Sequence, residues 1–199
     1  MADEQPLENE PQPKSRRFKV AEAERFVIRD AKGRERGHFG VDAAGSTSLE
    51  ITDKRGRAAA VVKVWNNGEN EIVLRDVQGN ARVNIGLTEA GAGFSLVDER
   101  KTIRASLELL PEGVTQLQLF DEQGKPRSSI KVWKDGESET VLRDAAGTPR
   151  ATMSASEEGS SLSLADGDQR VRASLEIGAD GVVRLLLFDE DGDPVYQKP

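Results

Sequence analysis

From about residue 24 onward, apolar and polar residues alternate in short runs, and each run ends on an aspartate. These are Asp30, Asp53, Asp76, Asp98, Asp121, Asp144, Asp166 and Asp189, with gaps of 23, 23, 22, 23, 23, 22 and 23 residues. Two residues before each aspartate stands Ile28, Ile51, Leu74, Leu96, Leu119, Leu142, Leu164 or Leu187. Four before it stands Phe26, Leu49, Ile72, Phe94, Leu117, Thr140, Leu162 or Leu185. A period of two is the mark of a strand with one apolar face.

Three residues after the aspartate, six units carry glycine: Gly33, Gly56, Gly79, Gly124, Gly147 and Gly192. Asp-x-x-Gly is turn chemistry, because the carboxylate accepts backbone N–H bonds and glycine tolerates positive φ. A second alternating run follows, as in Ile85 and Leu87 or Leu107 and Leu109, with a small residue such as Ala60, Ala105 or Ala173 two positions earlier. A further glycine-rich turn leads to the next unit. The pattern predicts eight tandem β-hairpins and about sixteen strands, with no helix.

A longer period overlies this one. Lys63-Val64-Trp65 returns as Lys131-Val132-Trp133, and Val-Leu-Arg-Asp at 73–76 returns at 141–144. Both repeats lie 68 residues on, so three hairpins make a superunit. The expected architecture is all-β: a tandem antiparallel β-hairpin repeat forming a curled or spiral, solenoid-like sheet around a thin aliphatic core. The alternative is a four-bladed β-propeller or a β-sandwich. A propeller of two-hairpin blades would predict a two-hairpin period, whereas the observed period is three.

Two stretches are read as separate regions: 1–22 as a disordered N-terminal tail, rich in proline and charge, and 23–199 as the repeat domain. Arg16-Arg17-Phe18-Lys19 is read as part of a solubilising leader, with a docking peptide as the other reading. Charged residues make up 32% of the chain and the net charge is −7. That balance argues against general nucleic-acid binding, which needs a basic surface. With no cysteine and no long apolar run, the expectation is a cytoplasmic protein without membrane insertion.

The candidate sites are modest. Trp65 and Trp133 are the only tryptophans and occupy equivalent positions beside Lys63 and Lys131. By alternation these residues, with Phe120 and Phe188, fall on the face opposite the aliphatic set. Such aromatic patches could stack a sugar ring or anchor a protein; the plainer reading is that they cover cross-strand neighbours such as Val73 and Val141. Arginine recurs six residues after the aspartate, at Arg36, Arg82, Arg104, Arg127, Arg150 and Arg172. That ladder is expected to pair with neighbouring carboxylates. Asp189-Glu190-Asp191-Gly192-Asp193 looks like a calcium loop but lacks its length and closing glutamate, so it reads as another turn. The one histidine, His38, lies in the least regular unit, and no nucleophile motif or zinc spacing appears. No cofactor, metal or catalytic residue is expected.

Leu-Arg-Asp-x-x-Gly-x-x-Arg, at 74–82 and 142–150, resembles tandem repeats in many uncharacterised bacterial proteins. The likeness covers about 24–195. It implies the hairpin architecture and carries no site residues. The reading favoured on these grounds is a non-catalytic scaffold that self-associates or docks onto a protein; the alternative is a carbohydrate-type binding module built on the aromatic patches.

Overall fold

The structure is a computed structural model that describes residues 19–198. The tail read over 1–22 therefore lies almost wholly outside the described residues. The first eight strands are β1 (Arg25–Arg29), β2 (Glu35–Val41), β3 (Thr47–Thr52), β4 (Ala58–Val64), β5 (Asn70–Arg75), β6 (Ala81–Thr88), β7 (Gly91–Val97) and β8 (Ile103–Leu109). The rest are β9 (Thr115–Phe120), β10 (Pro126–Val132), β11 (Ser138–Arg143), β12 (Pro149–Ser156), β13 (Gly159–Ala165), β14 (Val171–Gly178), β15 (Val183–Phe188) and β16 (Pro194–Lys198). They form one open antiparallel sheet in sequence order from β1 to β16. Each strand contacts only its sheet neighbours among the described residues, as in a solenoid. One continuous sheet with no second layer among the described residues is neither a propeller nor a sandwich. No helix among the described residues is long and apolar enough to cross a membrane.

Each hairpin closes on its aspartate. The Asp76 N–H donates to the Asn80 carbonyl and the Gly79 N–H to the Asp76 carbonyl, each at 2.9 Å. Gly79 has φ 90°, and the ladder slips one residue between Leu74 and Arg75. This is a tight turn followed by a left-handed residue and a bulge, which suits the twist of paired strands. Two units lack the glycine, and there Lys101 (φ 67°) and Gln169 (φ 65°) take the left-handed position.

At the other end of the hairpins, five turns starting at Asp42, Trp65, Leu110, Trp133 and Gly178 repeat the two hydrogen bonds and the left-handed glycine, without the slip in register. Two differ: Thr88 pairs directly with Gly91, and Ser156 with Gly159, across two-residue loops. Those loops shorten their units by one residue and explain the two gaps of 22. Gly91 is required there, since a Cβ on it would stand 2.1 Å from the Leu109 carbonyl oxygen.

The register aligns the alternating residues into rows that cross the whole sheet. One row runs Phe26, Phe39, Leu49, Val62, Ile72, Ile85, Phe94, Leu107 and Leu117, then on through Ile130, Thr140, Met153, Leu162, Leu175 and Leu185. A second row on the same face, nearer the aspartate turns, alternates Ile51, Ala60, Leu74, Val83, Leu96, Ala105 and Leu119. The aliphatic set thus shares one face, as the alternation predicts.

That face is not enclosed. Leu107 is 46% and Leu142 50% exposed, with most of the set similar. Burial occurs on the opposite face, where Val73 is 3%, Val141 4% and Ser129 2% exposed. The expectation of a thin aliphatic core facing inward is corrected accordingly. The physical reason is side-chain length: short residues on the polar face lie between long ones, as where Arg143 Nη1 donates to Ser129 Oγ at 3.0 Å beside Val141. Among the described residues nothing comparable overlies the leucines. The total exposed area, 14985 Å², exceeds the roughly 9,200 Å² expected for a compact chain of 21.7 kDa.

Candidate functional site

The aspartate edge is chemically occupied. Asp53 Oδ1 accepts the N–H groups of Arg55 and Arg57 at 2.7 and 3.1 Å, while Oδ2 accepts from Arg57 Nε and Nη2 at 3.0 and 2.7 Å. The Arg57 guanidinium holds the Asp53 carboxyl down at about 2. The Thr102 amide likewise lowers Asp98, and the Lys125 amide lowers Asp121. In the calcium-like segment, Asp189 Oδ1 accepts from Asp191 and Asp193 amides at 3.0 and 2.9 Å, the same turn as elsewhere.

The arginine ladder fastens this edge. Arg82, Arg104, Arg127, Arg150 and Arg172 each reach the aspartate six residues back, at 3.8, 3.3, 3.2 and 3.4 Å for all but the closer Arg127–Asp121 pair. Several also donate to the next hairpin: Arg36 to the Asp53 carbonyl at 2.8 Å, Arg104 to Phe120 at 3.1 Å and Arg150 to Ala165 at 2.9 Å. Arg104, Arg127 and Arg150 bond both to their own turn and to the neighbour's, whereas Arg36 bonds only to the neighbour's, its own Asp30 being held by Arg34. The ladder works as a row of fasteners between hairpins.

The aromatic residues are separated. Trp65 and Trp133 follow β4 and β10 and open the turns there, their carbonyls each accepting a glycine N–H at 3.0 Å. Six strand spacings divide them, about 29 Å. Lys63 Nζ stands 5.4 Å from the Trp65 ring centre and 3.5 Å from Asp42 Oδ2. Lys63 faces Glu71 across the ladder, and Lys131 faces Glu139. Phe120 and Phe188 close β9 and β15, at the aspartate edge, a strand length of about 20 Å from the tryptophan edge. Of the six residues, the structure brings together Lys63 with Trp65 and sets Lys131 two residues from Trp133 in the equivalent place. It does not bring the four aromatic rings to one site.

The feature that stands out is the aliphatic face. A third row on it, nearer the tryptophan edge, includes Val64, Asn70, Leu87, Ala92, Leu109, Thr115, Val132 and Ser138. From β2 to β15 the three rows contain no charged residue. Two depressions lie on this face at equivalent superunit positions. One, about 390 Å³, is lined by Ile85, Ala92, Phe94 and Leu107; the other, about 470 Å³, by Met153, Ser160, Leu162 and Leu175. The sequence carried a sign of this surface: the chain has one set of aliphatic rows and no second set to cover it.

Comparison with known proteins finds no protein-family model that matches the chain, and no significant match among curated proteins.

Proposed function

We propose that the chain is a non-catalytic scaffold that works by self-association or protein docking through its aliphatic face. One observation carries this reading: three uncharged rows run across the sheet from β2 to β15, with half-exposed large side chains throughout. Contiguous apolar surface beyond a few hundred Å² is rare on monomers and marks interaction sites. Among the described residues β1 and β16 are the edge strands and add a lesser opportunity for strand addition, blunted at β16 by Pro194. The chain's lack of cysteine supports a reducing, cytoplasmic setting.

A carbohydrate-type module would have to use Trp65 and Trp133 as separate subsites, because about 29 Å exceeds the reach of one sugar ring. The test compares the full chain with Leu107→Asp, by sedimentation and by retention of proteins from the native cell extract. Association or retention by the wild type, lost in the variant, supports the reading. A wild type that neither associates nor retains anything overturns it, as does binding indifferent to Leu107→Asp.

A further inference from the structure

We propose that the occupant of the aliphatic face is a second copy of the chain, packed face to face about a two-fold axis running across the strands. This rests on the docking reading above and names its partner. The argument comes from the relief of the face. On the row nearer the aspartate turns, large residues stand on odd-numbered strands and small ones on even-numbered strands, as in Leu74, Leu96 and Leu119 against Ala60 and Ala105. On the row nearer the tryptophan edge the order is reversed, with Leu87 and Leu109 on even strands and Ala92 and Thr115 on odd ones. Between β2 and β14 only Val83 and Ala155 break this checkerboard.

An axis lying over the central row, across the strands, sets each strand on its own copy and exchanges the two outer rows. Leu96 then lies over the partner's Ala92, Leu119 over the partner's Thr115, and Leu109 over the partner's Ala105. In the two outer rows each knob meets a hollow on every strand from β2 to β14 except β6 and β12, without sliding one sheet past the other, while each residue of the central row meets its own copy on the axis. The depressions at Ala92 and Ser160 receive the partner's Leu96 and Leu164. The pairing keeps the 68-residue superunit in step and, from β2 to β15, opposes no charges.

Area is ample. Fifteen strand spacings by six residues give a face of about 1,400 Å², so full overlap removes about 2,800 Å² from water. Stable interfaces need roughly 1,200–2,000 Å² in total. Half the face suffices. Two apolar sheet faces in contact make a sandwich, the usual way such a surface is removed from water.

The chain has no cysteine, so introduced thiols report cleanly. Ala92→Cys and Leu96→Cys chains are mixed and treated with a short bis-maleimide. The expected result is a cross-linked heterodimer from the mixture, with little product from either variant alone, because each thiol then lies four residues, about 13 Å, along the strand from its own copy. Sedimentation is expected at twice the 21.7 kDa chain mass, falling to once that mass in Leu107→Asp while the sheet spectrum persists. A wild type that stays monomeric overturns the self-pairing. If that monomer still retains another protein through the same face, the docking reading stands and only the choice of occupant fails. Cross-linking equal to that of Ser95→Cys, which lies on the other face, also overturns it.

Discussion

Val141 and Leu142 are neighbours in β11, yet they live in different environments. Val141 is 4% exposed on the face that carries the charges, and Leu142 is 50% exposed on the face that carries none. The pairing of strands treats both faces alike; what differs is what lies above them. On the polar face, long arginine, lysine and glutamate side chains reach across short residues, so their stems exclude water while their heads stay wet. On the aliphatic face, each side chain has only its row neighbours for cover. The comparison teaches that burial in a single-layer sheet follows side-chain length and neighbours, and that polarity alone is a poor guide to it.

The strongest way to break this comparison is to place a charge on each face in turn. Val141→Asp buries an unpaired carboxylate and should cost about 3–5 kcal/mol. Leu142→Asp forfeits only half a leucine's burial, about 1 kcal/mol. Urea denaturation of dilute protein measures both. At high concentration the gap should narrow, because pairing of the aliphatic faces makes Leu142 a buried residue. Equal costs in dilute protein would mean that the two faces do not differ as described.

Much of this molecule was legible in its sequence. The aspartate recurrence set the turns, and the alternation set which residues share a face. Parity cannot say which of two faces a sheet leaves open, and apolar character alone points the leucine face inward. Lys101 and Gln169 show a second limit: without glycine at that position, only the surrounding hydrogen bonds impose the left-handed backbone. For the aromatic residues, alternation predicts a shared face for Trp65 and Trp133, but the distance between them follows from strand order, which a meander makes large.

A finer test compares serines in equivalent surroundings on the polar face. Ser106 and Ser174 are buried with no partner for Oγ, whereas Ser129 Oγ accepts from Arg143. Removing an unpaired buried hydroxyl is favourable, and removing a paired one strands its donor. Ser106→Ala and Ser174→Ala should each raise stability by about 1 kcal/mol, and Ser129→Ala should lower it by about as much. Thermal midpoints of the three variants would show it; stabilisation by all three would mean that the Arg143 contact contributes nothing.

Acid separates the two faces by chemistry, with the smallest single-residue effect. Asp30, Asp53, Asp76, Asp98, Asp121, Asp144 and Asp166 have folded pKa values below their ordinary 3.8, and Asp53 lies at about 2. A depressed carboxylate pKa adds stability that is complete above the unfolded value and disappears as pH falls through the folded one. Stability of the chain should therefore be flat above about pH 5 and decline between about pH 4 and 2. The aliphatic rows from β2 to β15 hold no ionisable group, so association through them should not share that decline while the sheet remains folded. Arg57→Gln removes the guanidinium that holds Asp53 down, and should move its titration, followed by carboxyl NMR, back toward 3.8. The acid transition would then begin at slightly higher pH with association unchanged. An Asp53 titration unmoved by that substitution would show that the turn amides alone account for its acidity.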